Sequence, residues 1–182
     1  MISTLTSTWG NTEKAEVGQS FARSLGGRRN RLDYLSDPVL ERAYRDYLDA
    51  YCAMPRTLCH DDLLPFNVLV YDKWAVFIDW EYGGILPYPT SLARLIAHGE
   101  ESDTAFFRMA EADKHFAMEY YYEKCAKPMG ISAEEYIKAL NLCLFYEYCE
   151  WIYVGNKFGN TDNERYRKYC KLALELAAKM GY

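Results

Sequence analysis

His60, Asp61, Asp62, Asn67 and Asp79 are the residues whose types and spacing could do chemistry. Val68-Leu69-Val70-Tyr71 is rich in strand formers, Asp72-Lys73 can turn the chain, and Trp74-Ala75-Val76-Phe77-Ile78 can run back alongside. Such a hairpin returns Asp79 to the loop that carries Asp62 and Asn67. Two carboxylates and an amide oxygen then converge at the exposed end of an apolar two-strand platform. Oxygen donors of this kind suit Mg²⁺, which takes one or two carboxylates from protein and keeps positions for water and phosphate oxygens. Asn67 and Asp79 fit as ligands. Asp62, five residues before Asn67, fits as a base that accepts or orients the proton of a substrate hydroxyl.

The order H-x-D-x-x-x-x-N followed by a strand-terminal Asp is also the protein-kinase pattern of catalytic loop and metal-binding acid. His60-Asp61-Asp62-Leu63-Leu64-Pro65-Phe66-Asn67-Val68-Leu69-Val70, with Ile78-Asp79-Trp80-Glu81 behind it, resembles the aminoglycoside phosphotransferase and choline kinase family. The resemblance implies an α+β, mostly helical fold: the C-terminal lobe of a kinase-like protein with a small β-hairpin carrying the catalytic loop. It implies ATP and Mg²⁺ as cofactors, and phosphoryl transfer to a hydroxyl of an aminoglycoside-, choline- or sugar-like molecule. Asp62 is then the catalytic base, Asn67 and Asp79 hold the nucleotide's metal, and His60 braces the loop. Two positions depart from the family pattern. Asp61 stands where a glycine is common, and Ser91 stands where an aspartate usually opens the next helix, which serine can still cap.

The chain has 182 residues, half of them hydrophobic, with 26% charged and a formal net charge of −5. That is a globular composition, and its acidity argues against nucleic acid as partner and suits a neutral or cationic small molecule. Six cysteines lack any CxxC pair or zinc-type spacing, so they read as reduced, mostly buried thiols of a cytoplasmic protein. No apolar run approaches the ~20 residues of a membrane span.

In chain order, residues 1–12 read as a loose segment and 13–182 as one lobe. Val17, Phe21, Ala22 and Leu25 form a helical stripe that Gly26-Gly27 is expected to stop. Gly26-Gly27-Arg28-Arg29 suggests a phosphate loop, but no GxGxxG or GxxxxGK[ST] is present. The glycine loop and strand lysine of a kinase N-terminal lobe are thus missing before Thr57. Asp37-Pro38 starts a second helix, ended by Pro55. The segment with Gly83-Gly84 and Pro87 to Pro89 reads as irregular. Helices are then expected from Ser91 through His98, and around Phe106, Phe107, Met109, His115 and Phe116. His98 suits contacts with helix-end carbonyls, and His115 a packed or surface place.

A capping box of Ser132 and Glu135 opens a helix expected to reach about Val154. It is apolar nearly all round, so it should be central, which makes Glu147 and Glu150 conspicuous. They read either as members of salt bridges or, with Trp151, as a wall that receives a cationic substrate. Thr161 and Glu164 suggest one more capping box before the closing helix, near Asp162, which caps that terminus or touches substrate. Glu81 reads as a surface acid or a second-metal ligand. Two functional classes therefore stand: an ATP/Mg²⁺ phosphotransferase, or a catalytically silent or truncated lobe acting as a small-molecule or partner-binding module. The aromatic load, Tyr120-Tyr121-Tyr122 included, could also serve self-association or a partner chain that supplies the missing lobe.

Overall fold

Asp37 begins the helix that the sequence places after it, in a computed structural model that describes residues 14–102 and 105–182. Its carboxylate accepts from Val39 N at 2.8 Å and Leu40 N at 3.1 Å, satisfying two amides that the helix leaves free. This helix, α2 (Pro38–Ala53), follows α1 (Lys14–Arg31) and buries Leu40, Ala43, Tyr44, Tyr47 and Tyr51. The loose segment expected over residues 1–12 lies outside the described residues.

Helix α1 is longer than its glycines suggest and runs straight through Gly26-Gly27 to Arg31. Each mid-helix glycine costs about 1 kcal/mol relative to alanine. Long-range contacts offset that cost: Arg28 is buried, and its main-chain oxygen accepts from the Tyr44 hydroxyl at 2.9 Å.

Strand β1 (Arg56–Cys59) leads into the loop, and β2 (Val68–Tyr71) and β3 (Trp74–Phe77) form the expected hairpin, pairing Val68 with Phe77 and Tyr71 with Trp74. Residues 84–87 are not irregular as expected. They form β4 (Gly84–Pro87), antiparallel to β1, with Thr57 opposite Leu86 and Cys59 opposite Gly84. Local sequence hid this strand because its partner is far away in the chain, and proline is tolerated at a sheet edge. Helix α1 crosses β4 so closely that a Cβ on Gly84 would lie 2.3 Å from Ser20 Cβ.

Helix α3 (Thr90–Ala97) follows Pro89 without a side-chain cap, so Ser91 does not open it. Its hydroxyl is used elsewhere, accepting from the His60 main-chain N–H at 2.8 Å. The helix expected around Phe106 begins later. Phe107–Arg108 is strand β6, parallel to β5 (Gly99–Glu100), and α4 spans Glu111–Tyr121 with exposed His115 on it.

Helix α5 (Ala133–Phe158) has the expected capping box and passes Val154 to end at Gly159, which takes a left-handed φ of 65°. It packs on α2, on α3 and on α6 (Glu164–Lys179). Asn163, not Thr161, caps α6, accepting from Tyr166 N at 2.8 Å while its amide donates to Asn160 O. A Cβ on Gly155 would meet the Tyr166 ring at 2.3 Å, so glycine there lets α5 and α6 touch. One core cluster, rich in tyrosine from α2, α4, α5 and α6, unites these helices. The fold is α+β and mostly helical. No described helix is long and apolar enough to cross a membrane, and all six cysteines are free.

Candidate active site

The loop after β1 is pinned before it turns. His60 is buried, with its ring Nε2 2.7 Å from Ile78 O, and its ring lies 4.7 Å from that of Trp80. Its main-chain N–H reaches Ser91 on α3. One residue thereby joins the loop, the end of the hairpin and α3. Cys59, just before it, is buried, which pushes its thiol up to about 12 and keeps it protonated.

Asp61 and Asp79 both adopt left-handed backbone, at φ 58° and 60°. That region disfavours residues with a Cβ, though aspartate tolerates it better than most. At Asp61 the side chain compensates. Arg28 donates to it in a fork, Nη2 to Oδ1 at 2.7 Å and Nη1 to Oδ2 at 3.1 Å. Arg28 itself is buried between the rings of Tyr51 and Tyr146, 4.6 and 4.4 Å from their centroids, and its Nε donates to the Tyr47 hydroxyl at 2.8 Å. Burial alone lowers its pKa; Asp61 and the tyrosines outweigh that and raise it well above the ordinary value.

Asp62 and Asn67 meet. Asn67 Nδ2 donates to the Asp62 main-chain oxygen at 2.9 Å and to its Oδ2 at 3.1 Å, so the amide nitrogen is used and the amide oxygen is left for another partner. The other carboxylate oxygen of Asp62 accepts from Arg94 Nε and Nη2, at 3.0 and 2.8 Å. Arg94, on α3, also donates from Nη1 to Glu147 Oε2 at 2.9 Å. Glu147 Oε2 lies 3.3 Å from His98 Nε2, and His98 Nδ1 lies 2.8 Å from the Tyr169 hydroxyl. His98 therefore serves this buried chain of polar contacts rather than the helix-end carbonyls expected for it. Burial pushes the Glu147 carboxyl up, but Arg94 and His98 outweigh it and hold the group at about 2.

Asp62, Arg94 and Glu147 line a cavity of about 520 Å³ between α1, the loop, α3 and α5. Asp61, Asp62, Arg94, Glu147, Glu150 and Trp151 all stand on its walls, so the residues expected to receive substrate share a cavity with the expected base. The salt-bridge reading of the two glutamates describes their contacts: Arg31 Nε is 2.5 Å from Glu150 Oε1, which also accepts from the Tyr146 hydroxyl. The Trp151 ring stacks on Tyr169, with centroids 5.6 Å apart. Asp162 is away from the cavity, paired with Arg167 on the surface.

Asp79 is exposed, placed beside Asn67 by the Ile78 N–H, which donates to Asn67 O at 3.0 Å. Glu81 is exposed as well. Among the described residues no three acidic, histidine or cysteine side chains gather as a metal cage. Asn67 and Asp79 carry oxygens of the hard kind that suits an ion completing its shell with phosphate and water. Sequence reasoning missed Arg31 and Arg94, and met Arg28 only within the discounted phosphate-loop reading of Gly26-Gly27-Arg28-Arg29. No local spacing marks them, because each finds its acid on a different element.

Residues 9–126, more than half of the chain, match the model of the family described as "Phosphotransferase enzyme family" (APH). The chain belongs to the APH phosphotransferase family. Among curated relatives, it is 29% identical over 122 residues to Protein LicA of Haemophilus influenzae strain ATCC 51907 / DSM 11121 / KW20 / Rd, covering 67% of this chain and 42% of that protein. A second Protein LicA from Haemophilus influenzae matches equally, at 29% over 122 residues, with 33% of its length covered. This APH-family chain thus spans less than half the length of the curated relatives it matches.

Proposed function

We propose that this chain is the C-terminal, catalytic lobe of a cytoplasmic ATP- and Mg²⁺-dependent phosphotransferase acting on a hydroxyl of a small molecule. The observation that carries the reading is Asp62, fixed by Asn67 and Arg94 on the wall of the 520 Å³ cavity. A hydroxyl entering that cavity finds a carboxylate whose orientation is already set, which is how a kinase base directs its acceptor. Arg94 fixes the orientation of Asp62, which accepts or orients the hydroxyl proton as the oxygen attacks. Asn67 and Asp79 are the residues that would hold Mg²⁺, whose chemistry is to neutralise charge on the transferring phosphate. His60 and the Arg28–Asp61 pair hold the loop.

The second reading, a catalytically silent binding lobe, is favoured by one feature: the hairpin's side chains are bare. Val70, Tyr71 and Trp74 are 75%, 82% and 68% exposed, the kind of apolar surface that marks a protein contact. A β-rich upper lobe seated there, from the same polypeptide or a partner, would cover nucleotide from above. Titration with ATP and Mg²⁺ by calorimetry tests the first reading. Binding should require Mg²⁺ and vanish in Asp79→Ala, while Asp62→Ala should keep binding and lose turnover by at least about a hundredfold. Unchanged turnover in Asp62→Ala rules out the assigned base. Absence of nucleotide binding at millimolar concentrations favours the silent lobe.

A further inference from the structure

Every carboxylate on the cavity wall is already engaged. Arg28 holds Asp61, Arg94 holds Asp62 and Glu147, and Arg31 holds Glu150. The same wall carries donors without a charged partner or an acceptor. Arg23 is exposed and makes one bond, from Nη2 to the Glu81 main-chain oxygen at 2.6 Å. Among the described residues it has no carboxylate partner. Arg31 Nη1 donates to Gly27 O, while its Nε, although 2.5 Å from Glu150 Oε1, is buried without a hydrogen-bond acceptor among the described residues. Trp151 on the facing helix has an indole N–H that is buried without an acceptor. Gly27 lies on the same wall between the two arginines and adds no side chain to obstruct them.

We propose that the acceptor molecule carries an anionic oxyacid group, a carboxylate or a phosphoryl, seated by Arg23, Arg31 and Trp151, with its hydroxyl toward Asp62. The hydroxyl's fate rests on the phosphotransferase reading; the anion's seat does not. A cationic ligand meets carboxylates whose charge an arginine already balances. An anion balances the charge of Arg23, which has no carboxylate partner among the described residues, and gives an acceptor to the Arg31 and Trp151 nitrogens that lack one. The pocket is thus set against the cationic acceptor that its glutamates suggest when read alone.

Three matched probes test this without nucleotide or metal: 4-hydroxybutyrate, its neutral diol counterpart and its amino alcohol counterpart, titrated by ligand-observed NMR. The hydroxy acid should bind about tenfold more tightly than the diol, and the amino alcohol least. Arg23→Gln should cut that preference several-fold with an unchanged melting temperature, because Arg23 is exposed. Arg31→Gln should do the same, and loss of preference in either variant supports the seat. 3-Hydroxypropyl phosphate in the same titration tells a phosphoryl preference from a carboxylate preference. Tightest binding by the amino alcohol, a preference untouched in both variants, or no binding by any probe overturns the proposal. So does competitive displacement of the hydroxy acid by ATP, which would assign these arginines to nucleotide. None of these outcomes depends on whether Asp79→Ala abolishes Mg²⁺-dependent ATP binding, so the two readings fail separately.

Discussion

Asp61 and Asp79 share a backbone conformation, with φ of 58° and 60°, but they sit in opposite surroundings. Asp61 is gripped by Arg28, which is itself sealed between two tyrosine rings in the tyrosine-rich core. Asp79 stands in solvent at the end of a hairpin whose apolar residues are mostly exposed. The Asp61 side of the site is therefore braced by this chain's own core. The Asp79 side has its backbone set and its side chain open to solvent. An aspartate at a left-handed position persists where its surroundings over-determine it, or where the unusual conformation is used by a ligand. Asp61 shows the first case, and on the phosphotransferase reading Asp79 is the second.

The largest test of the contrast is Arg28→Ala. It leaves Asp61 as an almost buried charge without a partner and empties the slot between Tyr51 and Tyr146. A loss of about 3–5 kcal/mol in denaturant unfolding is expected. Asp61→Gly in the same background should return part of that loss, since it removes the orphaned charge and supplies the residue best suited to φ 58°. Equal stability of the single and double variants would show that the pair is not a coupled unit.

Glu147 gives a pH test of the same side. Its carboxyl is held at about 2 in the folded chain, below its ordinary value near 4.5. A depressed carboxylate contributes stability above its unfolded pKa and loses it as pH falls through the folded one. The contribution, roughly 3 kcal/mol by linkage, should fade between about pH 4.5 and pH 2. Glu147→Gln should flatten that portion of the stability curve. A variant as acid-sensitive there as the parent would place the titration elsewhere.

The contrast also separates what the sequence shows from what it hides. The hairpin, the Asp37 cap and the Ser132–Glu135 box are legible because each is encoded within a few residues. So are His60, Asp62, Asn67 and Asp79, whose spacing follows from one turn and one hairpin. The run of α1 through Gly26-Gly27 is hidden, because its compensation comes from Asp61, Tyr44 and Glu150, all distant in sequence. Strand β4 is hidden for the same reason: its glycine and prolines obey local turn rules, and only β1 makes it a strand. Arg94 shows the limit most plainly. It follows Ser91 on an ordinary helix, and nothing near it predicts that one guanidinium will join Asp62 to Glu147.

Asp79→Ala tests the open side. Asp79 has no ion pair among the described residues, so unfolding should change by less than about 0.5 kcal/mol. A small gain is consistent with the site, since catalytic acids often cost stability. A loss above about 2 kcal/mol would mean that Asp79 is a structural residue and that the two aspartates are alike after all.

The smallest expected effect belongs to the hairpin. Val70 and Tyr71 are 75% and 82% exposed, so Val70→Thr and Tyr71→Ser should each shift stability by no more than about 0.5 kcal/mol. A lone two-stranded hairpin is marginal in water, and this one rests on the ties that His60 and Asn67 make to Ile78 at its end. Both ties end on the Ile78 main chain, and the two substitutions leave them untouched. If either variant instead lost more than about 1.5 kcal/mol, with a melting temperature that depends on protein concentration, the hairpin face would be covered in solution by another copy of the chain. The open side would then be completed by association, and the asymmetry between Asp61 and Asp79 would belong to the isolated chain alone.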